Sequence, residues 1–277
     1  MIWALCAIAV FIVAAVIFFQ IPYSKTKSSF QNDVQGYLSR ASAKRGVFTE
    51  QDIASLPELV QNHFRVSGHI GQPKMTSMTA HMSSVPLRES NDKAPLIIDY
   101  TLFAFADEPV RLAYIKTSMF GIPFEGYDST QHGIGFMRGV IGKVYTLFNQ
   151  TGPDMDKGQL ITYLSESFFI PSLILSERIT WEPIDAAHVR ATITYMGISG
   201  SGVFAFREDG FVKSFTTDER ARINNDGKID YPTWLAVYEN FIERDGIFLP
   251  SGVKAIWRDD HGDLIYFDAD EIKITFR

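Results

Sequence analysis

In the stretch HVRATITYM, residues 188–196, polar and apolar side chains alternate from His188 to Tyr195. Every second residue from Val189 to Tyr195 is apolar, and the residues between them are polar. An alternation with period two is typical of a β-strand that buries one face. The last seven residues of the chain, EIKITFR at 271–277, repeat it. The sequence therefore predicts that both segments are strands lying on a core.

Similar segments follow one another along the chain and are joined by short turn signals. Four turns are predicted at Glu208-Asp209-Gly210, Asn225-Asp226-Gly227, Arg244-Asp245-Gly246 and His261-Gly262-Asp263. Strands joined by such short turns pair antiparallel. The glycine-rich residues 197–202 indicate a flexible hairpin or a bulge. Further strands are predicted at Leu96–Ala106, Val110–Phe120, Val203–Arg207, Phe211–Thr217, Trp234–Phe241, Ile247–Arg258 and Asp263–Asp268.

Two segments change to a helical period. One runs from about Ser55 to Gly68, where Ser55 and Glu58 have the spacing of a capping box. The other runs from Asp156 to Phe169, with Asp154 or Asp156 as its cap. An antiparallel sheet interrupted by helices predicts an α+β, mainly β fold. We expect a curved antiparallel sheet, a half-barrel, wrapped over helices.

The N-terminal run from Ile2 to Phe19 contains only apolar residues. As a helix it would be about 27 Å long, close to the thickness of a hydrocarbon core. Trp3 and Tyr23 lie near its ends, where interfacial aromatic residues are enriched. No basic residue precedes the run and Phe18–Ile21 is a poor cleavage site, so an uncleaved transmembrane helix is favoured over a signal peptide.

These features divide the chain into a transmembrane anchor (1–23), a juxtamembrane linker (24–48) and a β-rich globular domain (49–277). The protein is thus expected in the cell membrane as a single-pass protein, held there by Ile2–Phe19. Lys25, Lys27 and Arg40 follow the helix, which favours a cytoplasmic domain. Half-barrel domains often function outside the membrane, however. The side of the membrane on which the domain lies therefore stays open, with the cytoplasmic side slightly favoured.

Composition excludes several classes of function. A net charge of -6 and a pI near 5.5 argue against nucleic-acid binding, which needs a basic surface. The single cysteine, Cys6, lies in the apolar run, and the six histidines show no metal-binding spacing. We therefore predict no metal site and no cofactor.

Aromatic residues are abundant on the predicted strands. If the sheet is curved, they could line an apolar cleft for a lipid or an acyl chain, or they could simply fill the core. The residues proposed for ligand binding are Phe103, Phe105, Tyr114, Phe136, Trp181, Trp234, Tyr238 and Trp257.

Acidic and polar residues around the second helix are weak candidates for catalysis. Carboxylates can serve acid–base chemistry, but acids at a helix start also complement its dipole. The catalytic candidates are Asp154, Asp156, Tyr163, Glu166 and His132. Whether the protein is an enzyme is left uncertain, with a binding function favoured.

Several motifs resemble an uncharacterised family of bacterial membrane-anchored domains of unknown function. They are Leu56-Pro57-Glu58-Leu59-Val60, Ser67-Gly68-His69-Ile70-Gly71, Gly152-Pro153-Asp154-Met155-Asp156, Tyr163-Leu164-Ser165-Glu166 with Pro171, Trp181-Glu182-Pro183-Ile184-Asp185, Leu249-Pro250 and Trp257. The family pattern has Ala in place of Ser165 and a Trp near Phe168, and neither difference removes an evident functional group. The resemblance implies no activity, and it implies a fold similar to lipoprotein-carrier and lipid-binding half-barrels.

Three hypotheses of function result. The first is a membrane-tethered domain that binds a lipid, an acyl chain or a lipidated partner such as a lipoprotein in an apolar cleft. The second is an enzyme that uses the acidic cluster around residues 154–166. The third is a membrane-anchored scaffold for protein interactions.

Overall fold

A computed structural model describes residues 2–41, 46–224 and 227–277. The helices are α1 (Ile2–Gln20), α2 (Lys25–Arg40), α3 (Glu50–Ile53), α4 (Glu58–Val66) and α5 (Pro153–Ser165). Two short 3-10 helices, Glu166–Phe169 and Pro171–Leu173, follow α5. The strands are β1 (Ser77–Leu87), β2 (Leu96–Phe105), β3 (Val110–Met119), β4 (Ile122–Gln131), β5 (Ile134–Ile141), β6 (Tyr145–Thr151), β7 (Ile179–Pro183), β8 (His188–Tyr195), β9 (Ile198–Phe206), β10 (Val212–Thr217), β11 (Arg222–Ile223), β12 (Ile229–Asp230), β13 (Thr233–Arg244), β14 (Ile247–Asp259), β15 (Gly262–Ala269) and β16 (Lys273–Phe276).

One large antiparallel sheet contains nearly all of the strands. Its order is β6-β5-β4-β3-β2-β1-β15-β14-β13-β10-β9-β8-β7, and β16 pairs with the first part of β1. Strands β11 and β12 form a separate small hairpin. Most neighbours in the sheet are also neighbours in sequence, as the predicted short turns require. The pairing of β1 with β15 and β16 joins the two halves of the sheet.

The sheet curves around α5. This helix packs against both β5 and β9, which are nine strand positions apart in the sheet. In a flat sheet nine positions would span about 43 Å, four times the diameter of a helix. The two strands can therefore meet one helix only because the sheet is curled. This confirms the predicted curved antiparallel sheet wrapped over helices.

Two glycines of β9 allow helix and sheet to approach closely. A Cβ atom at Gly200 would lie 2.5 Å from Cγ1 of Ile161 on α5, and one at Gly202 would lie 2.1 Å from the ring of Phe215. The glycine-rich segment is therefore mostly a regular strand with side chains packed on it. Its flexible part is limited to the β8–β9 turn, where Met196 and Gly197 have positive φ.

Apolar side chains pack on both faces of the sheet. On the concave face, α3, α4, α5 and the 3-10 segments share one core with the inward residues of the strands. On the convex face, α2 covers β3 and β4. Its Phe30, Val34 and Tyr37 are buried there. Most of the segment expected to be a linker is thus a packed helix, and residues 42–45 of that segment lie outside the described residues.

The structure confirms the strands predicted from alternation and corrects the helix starts. HVRATITYM and EIKITFR form β8 and β16. Helix α4 begins at Glu58 with Pro57 as its N-cap, and the capping box belongs to Thr49 and Asp52 of α3 instead. The N-cap of α5 is Gly152, with no side-chain cap. The predicted turn at Asn225-Asp226-Gly227 lies partly outside the described residues.

None of the 19 residues of helix α1 is buried, and its contact with the sheet is at its last turn, where Lys143 meets Phe18. It is long and apolar enough to cross a membrane by length and composition, a test that N-terminal signal sequences also pass.

Candidate functional site

A row of aromatic rings crosses the concave face of the sheet. We call this row the aromatic ladder; it consists of Trp181, Phe204, Phe215, Trp234, Trp257 and Tyr266. From Trp181 to Tyr266, the centroids of successive rings are 5.6, 4.7, 6.1, 6.5 and 5.7 Å apart. Phe204 faces the same side of β9 as Gly200, which touches α5, so the ladder faces the inside of the curve. The result is a continuous row of rings contributed by six strands, four of which (Phe204, Phe215, Trp234 and Trp257) are buried in the core.

The side chain of Arg220 lies between this ladder and α5. Its guanidinium carbon is 4.8 Å from the ring centroid of Trp234 and 4.9 Å from that of Trp257. Its Nε donates a hydrogen bond to Oγ1 of Thr162 on α5 at 3.0 Å. Among the described residues, the terminal nitrogens of Arg220 have no hydrogen-bond or ion-pair partner, and the residue is half-buried. A cation that can bind an anionic ligand therefore lies on two inner rings of the ladder.

The neighbouring Arg222 differs from Arg220 in its partners. It forms ion pairs with Asp230 at 2.6 Å and with Asp259 at 3.1 Å. The two carboxylates raise its pKa, mainly through the hydrogen bonds to Asp230. Arg222 is thus neutralised by the protein itself, whereas Arg220 has no ion-pair partner among the described residues. The charge of Arg220 acts only at longer range on the buried Glu166, where it opposes the rise in pKa that burial causes.

A second polar cluster is buried between the sheet and the end of α5. Arg111 of β3 is 3% exposed, and its single Nε–H is shared between the two carboxylate oxygens of Glu166, at 2.9 and 3.0 Å. Its Nη1 donates to Asp128 of β4 at 2.7 Å, and its Nη2 donates to the hydroxyl of Tyr100. Gln159 of α5 donates to the other oxygen of Asp128. The cluster therefore ties α5 to three strands.

Burial controls the protonation of this cluster. It raises the pKa of Glu166, although the adjacent Arg111 opposes the shift, and it raises the pKa of Tyr100. The two carboxylates share one guanidinium, so their mutual repulsion also favours a proton on Glu166. Because the donors and acceptors are satisfied by one another, the arrangement acts as a clamp on α5.

The two acids at the start of α5 are engaged with neighbouring elements. Asp154 accepts a hydrogen bond from the hydroxyl of Tyr231, and Asp156 accepts one from the backbone N–H of Gly135 at 2.7 Å. Twelve residues of helix separate Asp154 from Glu166, a distance of about 18 Å. This is beyond the spacing at which two carboxylates share one substrate bond.

The other two catalytic candidates are also held by local contacts. Tyr163 donates from its hydroxyl to the carbonyl oxygens of Phe105 and Glu108. His132 is exposed, and its Nε2 lies 3.1 Å from the hydroxyl of Tyr37 on α2. No hydrogen bond joins any two of the five catalytic candidates in the described part of the chain. Within the same ranges, no group of three or more His, Cys, Asp or Glu residues is arranged to hold a metal ion.

The eight aromatic residues proposed for ligand binding fall into two groups on opposite faces of the sheet. Three belong to the ladder and a fourth, Tyr238, lies in the same concave core. The other four lie on the convex face under α2: Phe103, Phe105, Tyr114 and Phe136. Alternation along a strand identifies buried faces, but it does not reveal which face is concave.

Sequence analysis missed Arg220, and no local pattern marks it. It also missed Arg111, for which a signal exists, because a charge stands at an inward position of the apolar strand VRLAYI. Such a residue indicates a buried ion pair.

Two surface pockets of about 420 and 390 Å³ lie outside these sites. The first is beside the end of β3 and the second is beside α3. None of the predicted site residues lines either pocket.

Comparison with known proteins identifies the family. Residues 46–269 match the model of a family of unknown function, DUF6544, so the chain belongs to this family. This confirms the resemblance derived from the motifs. No curated protein matches the chain. Among solved structures, a LolA superfamily protein from Nitrosomonas europaea is similar over 83% of this chain and 94% of that chain, at 10% identity and a TM-score of 0.39.

Proposed function

We propose that the protein is a membrane-anchored domain that binds an amphiphile with an acidic headgroup, such as a lipid, an acyl chain or a lipidated partner. The observation that carries this proposal is Arg220, a half-buried cation without a carboxylate partner among the described residues, which lies on two tryptophan rings. A row of apolar rings with such a cation beside it matches the two parts of an amphiphile. The guanidinium would bind a carboxylate or phosphate, and the aromatic ladder would contact the chain.

The packing around Arg220 supplies a way to make room. Its side chain fills the space between α5 and the ladder, and Gly158 of α5 lies against its methylene groups. Thr162 contributes a single hydrogen bond. If Arg220 swings towards an incoming headgroup, the faces of Trp234 and Trp257 become available to the acyl chain without displacement of the buried Arg111 cluster.

The anchor would place this domain close to its ligand. With 18 apolar residues followed by Gln20, none of them buried, α1 forms a helix of about 28 Å, enough to span a hydrocarbon core. Tethering to the bilayer raises the effective concentration of membrane-derived amphiphiles at the binding surface.

Binding of a fluorescent fatty acid to the detergent-solubilised full chain tests the proposal. We expect Arg220→Gln to weaken binding by roughly tenfold to a hundredfold, the effect of losing a charge-assisted hydrogen bond. A fatty alcohol of the same length should bind both forms equally. Arg207→Gln is the matched control, because Arg207 also lies over an aromatic ring but is exposed and paired with Asp209.

Equal affinity of the wild type and Arg220→Gln for the fatty acid would exclude Arg220 as the headgroup site. Mass spectrometry of the chain extracted gently from its native membrane would identify the class of ligand. The enzyme and the scaffold remain alternative predictions, and no contact in the described residues favours them.

A further inference from the structure

Two hairpin tips lie at the C-terminal end of α1. One is the β5–β6 turn, where Nζ of Lys143 donates to the carbonyl oxygens of Phe18, at 3.1 Å, and of Ile21. The same ammonium lies 5.6 Å from the ring centroid of Phe18. These carbonyls are at the negative end of the helix dipole, so a cation is favoured there. The β5–β6 tip is thus held against the last turn of α1.

The start of α2 is held at the same end of the sheet. The hydroxyl of Ser24, the N-cap of α2, donates to Glu125 of β4 at 2.7 Å. Tyr114 of β3 donates to the same carboxylate oxygen. Because Glu125 is three residues from the start of β4, this contact brings the short α1–α2 connection next to the β3–β4 turn. The two tips and the end of α1 therefore form one end of the molecule.

Apolar side chains project into solvent from both tips. Phe120 in the β3–β4 turn is 98% exposed, and Val144 and Tyr145 in the β5–β6 turn are 76% and 66% exposed. Ile122 and Leu147 continue this surface. We call these five residues the tip surface. Clustered exposed apolar residues mark an interaction site, whereas singly scattered ones do not.

The backbone of the first tip strengthens this argument. Phe120 has a φ of 53°, in the left-handed region that favours Gly, Asn or Asp. A bulky aromatic residue is disfavoured there by both its conformation and its full exposure to water. Neither turn formation nor core packing accounts for Phe120, and an apolar environment outside the protein would account for it.

We propose that the tip surface inserts into the interfacial layer of the bilayer that α1 crosses. The proposal rests on the membrane anchor of the proposed function and adds a fixed orientation of the domain on the lipid surface. The tips lie level with the last turn of α1, where the hydrocarbon core would meet the headgroups. Tyr145 suits this depth as an interfacial aromatic residue.

Nearby charges fit a lipid partner. Lys25 and Lys27 lie in the first turn of α2, and Lys116 is exposed on β3 near its tip. Together with Lys143 they bring four positive charges to this end of a chain whose net charge is -6. The negative surface potential of an anionic bilayer attracts lysines that lie close to it. An anionic lipid surface therefore matches both the apolar and the charged side chains.

Site-specific fluorescence of the full chain in liposomes of phosphatidylcholine and phosphatidylglycerol tests the proposal. In a Cys6→Ser background, Phe120→Cys is labelled with an environment-sensitive dye, and lipids carrying a quencher near the headgroup are added. The matched control is Ile134→Cys, which is 62% exposed at the start of β5, beside the hairpin turn at the opposite end of β4. We expect several-fold stronger quenching at position 120 than at position 134. Val144→Cys should behave like Phe120→Cys and covers the case in which position 120 does not tolerate the label.

The outcomes distinguish the tip surface from the anchor. If the protein stays in the liposomes after an alkaline wash but neither position 120 nor position 144 is quenched more than position 134, the tip surface does not touch lipid and the anchor stands. If the wash removes the protein, the anchor fails and the tip proposal fails with it. Energy transfer between labelled copies without lipid quenching would assign the surface to a second copy of the chain and overturn the proposal.

Discussion

At the scale of single residues, the buried guanidinium of Arg111 has the largest predicted effect. In Arg111→Met two carboxylates, Asp128 and Glu166, lose their shared cation inside the protein. We expect the free energy of unfolding to fall by about 3–5 kcal/mol, the typical cost of breaking a buried ion pair. Urea unfolding in mild detergent measures this loss.

Two variants calibrate that measurement. Arg65→Met removes an exposed ion pair with Glu50 and should cost at most about 1 kcal/mol. Glu166→Gln should cost less than Arg111→Met, because Asp128 still pairs with the guanidinium. If Glu166→Gln instead left stability unchanged and abolished an activity, the enzyme hypothesis would gain its first support.

Two buried histidines predict how stability depends on pH. Burial lowers the pKa of His69 to about 4, and burial together with the neighbouring His69 lowers that of His63 to about 3. In the unfolded chain both histidines bind a proton below about pH 6.5, whereas in the folded chain both histidines stay neutral down to about pH 4. The free energy of unfolding should therefore decrease as the pH falls from 6.5 to 4, by up to about 1.4 kcal/mol per pH unit for each histidine.

Replacement of His69 by Leu should halve this slope. Neither ring nitrogen of His69 has a hydrogen-bond partner in the described ranges, and Phe48 and Phe64 flank the ring. His69→Leu should thus be at least as stable as the wild type at pH 7.5. Unfolding curves at pH 5 and 7.5 test both expectations, with the exposed His261→Leu as control. An unchanged slope in His69→Leu would contradict the assignment.

At the scale of elements, α2 decides whether residues 25–40 act as a linker or as part of the domain. Phe30 packs between Phe103, Tyr114 and Tyr127, with ring centroids 5.4–5.9 Å away. Phe30→Ala should lower the free energy of unfolding by about 3 kcal/mol or more if α2 is docked. The exposed Gln31→Ala on the same helix should change it by less than about 0.5 kcal/mol. Equal stability of the two variants would indicate a free linker.

At the scale of the whole molecule, α1 determines whether the domain is tied to a membrane. An arginine at its centre costs about 2.5–3.5 kcal/mol of insertion free energy. We expect Val10→Arg/Val13→Arg to release the protein on alkaline extraction, whereas Val10→Leu/Val13→Leu should stay in the membrane. The intact mass of the purified wild type should include residues 1–23. A mass that lacks them would identify α1 as a cleaved signal sequence.

Local sequence patterns were sufficient to predict whether most of the elements are helices or strands. Alternation in HVRATITYM and EIKITFR predicted two strands and their buried faces, because the side-chain period of a strand is a property of the backbone alone. Short turns predicted antiparallel pairing because a tight turn reverses the direction of the chain. The exact helix starts were not predictable in this way, since the chain offers several polar residues that can cap, and packing selects among them.

The sequence by itself determined that this protein has an apolar N-terminal helix, antiparallel strands with one strongly buried face, and membership of its family. Only the tertiary structure decided which aromatic residues lie on the concave face, that α2 is docked on the convex face, and that Arg111 meets Glu166 across 55 residues of chain. A local pattern reports that a residue is buried but not what lies against it. The partner depends on how the sheet curls around α5, and that curvature results from contacts between strands far apart in the chain.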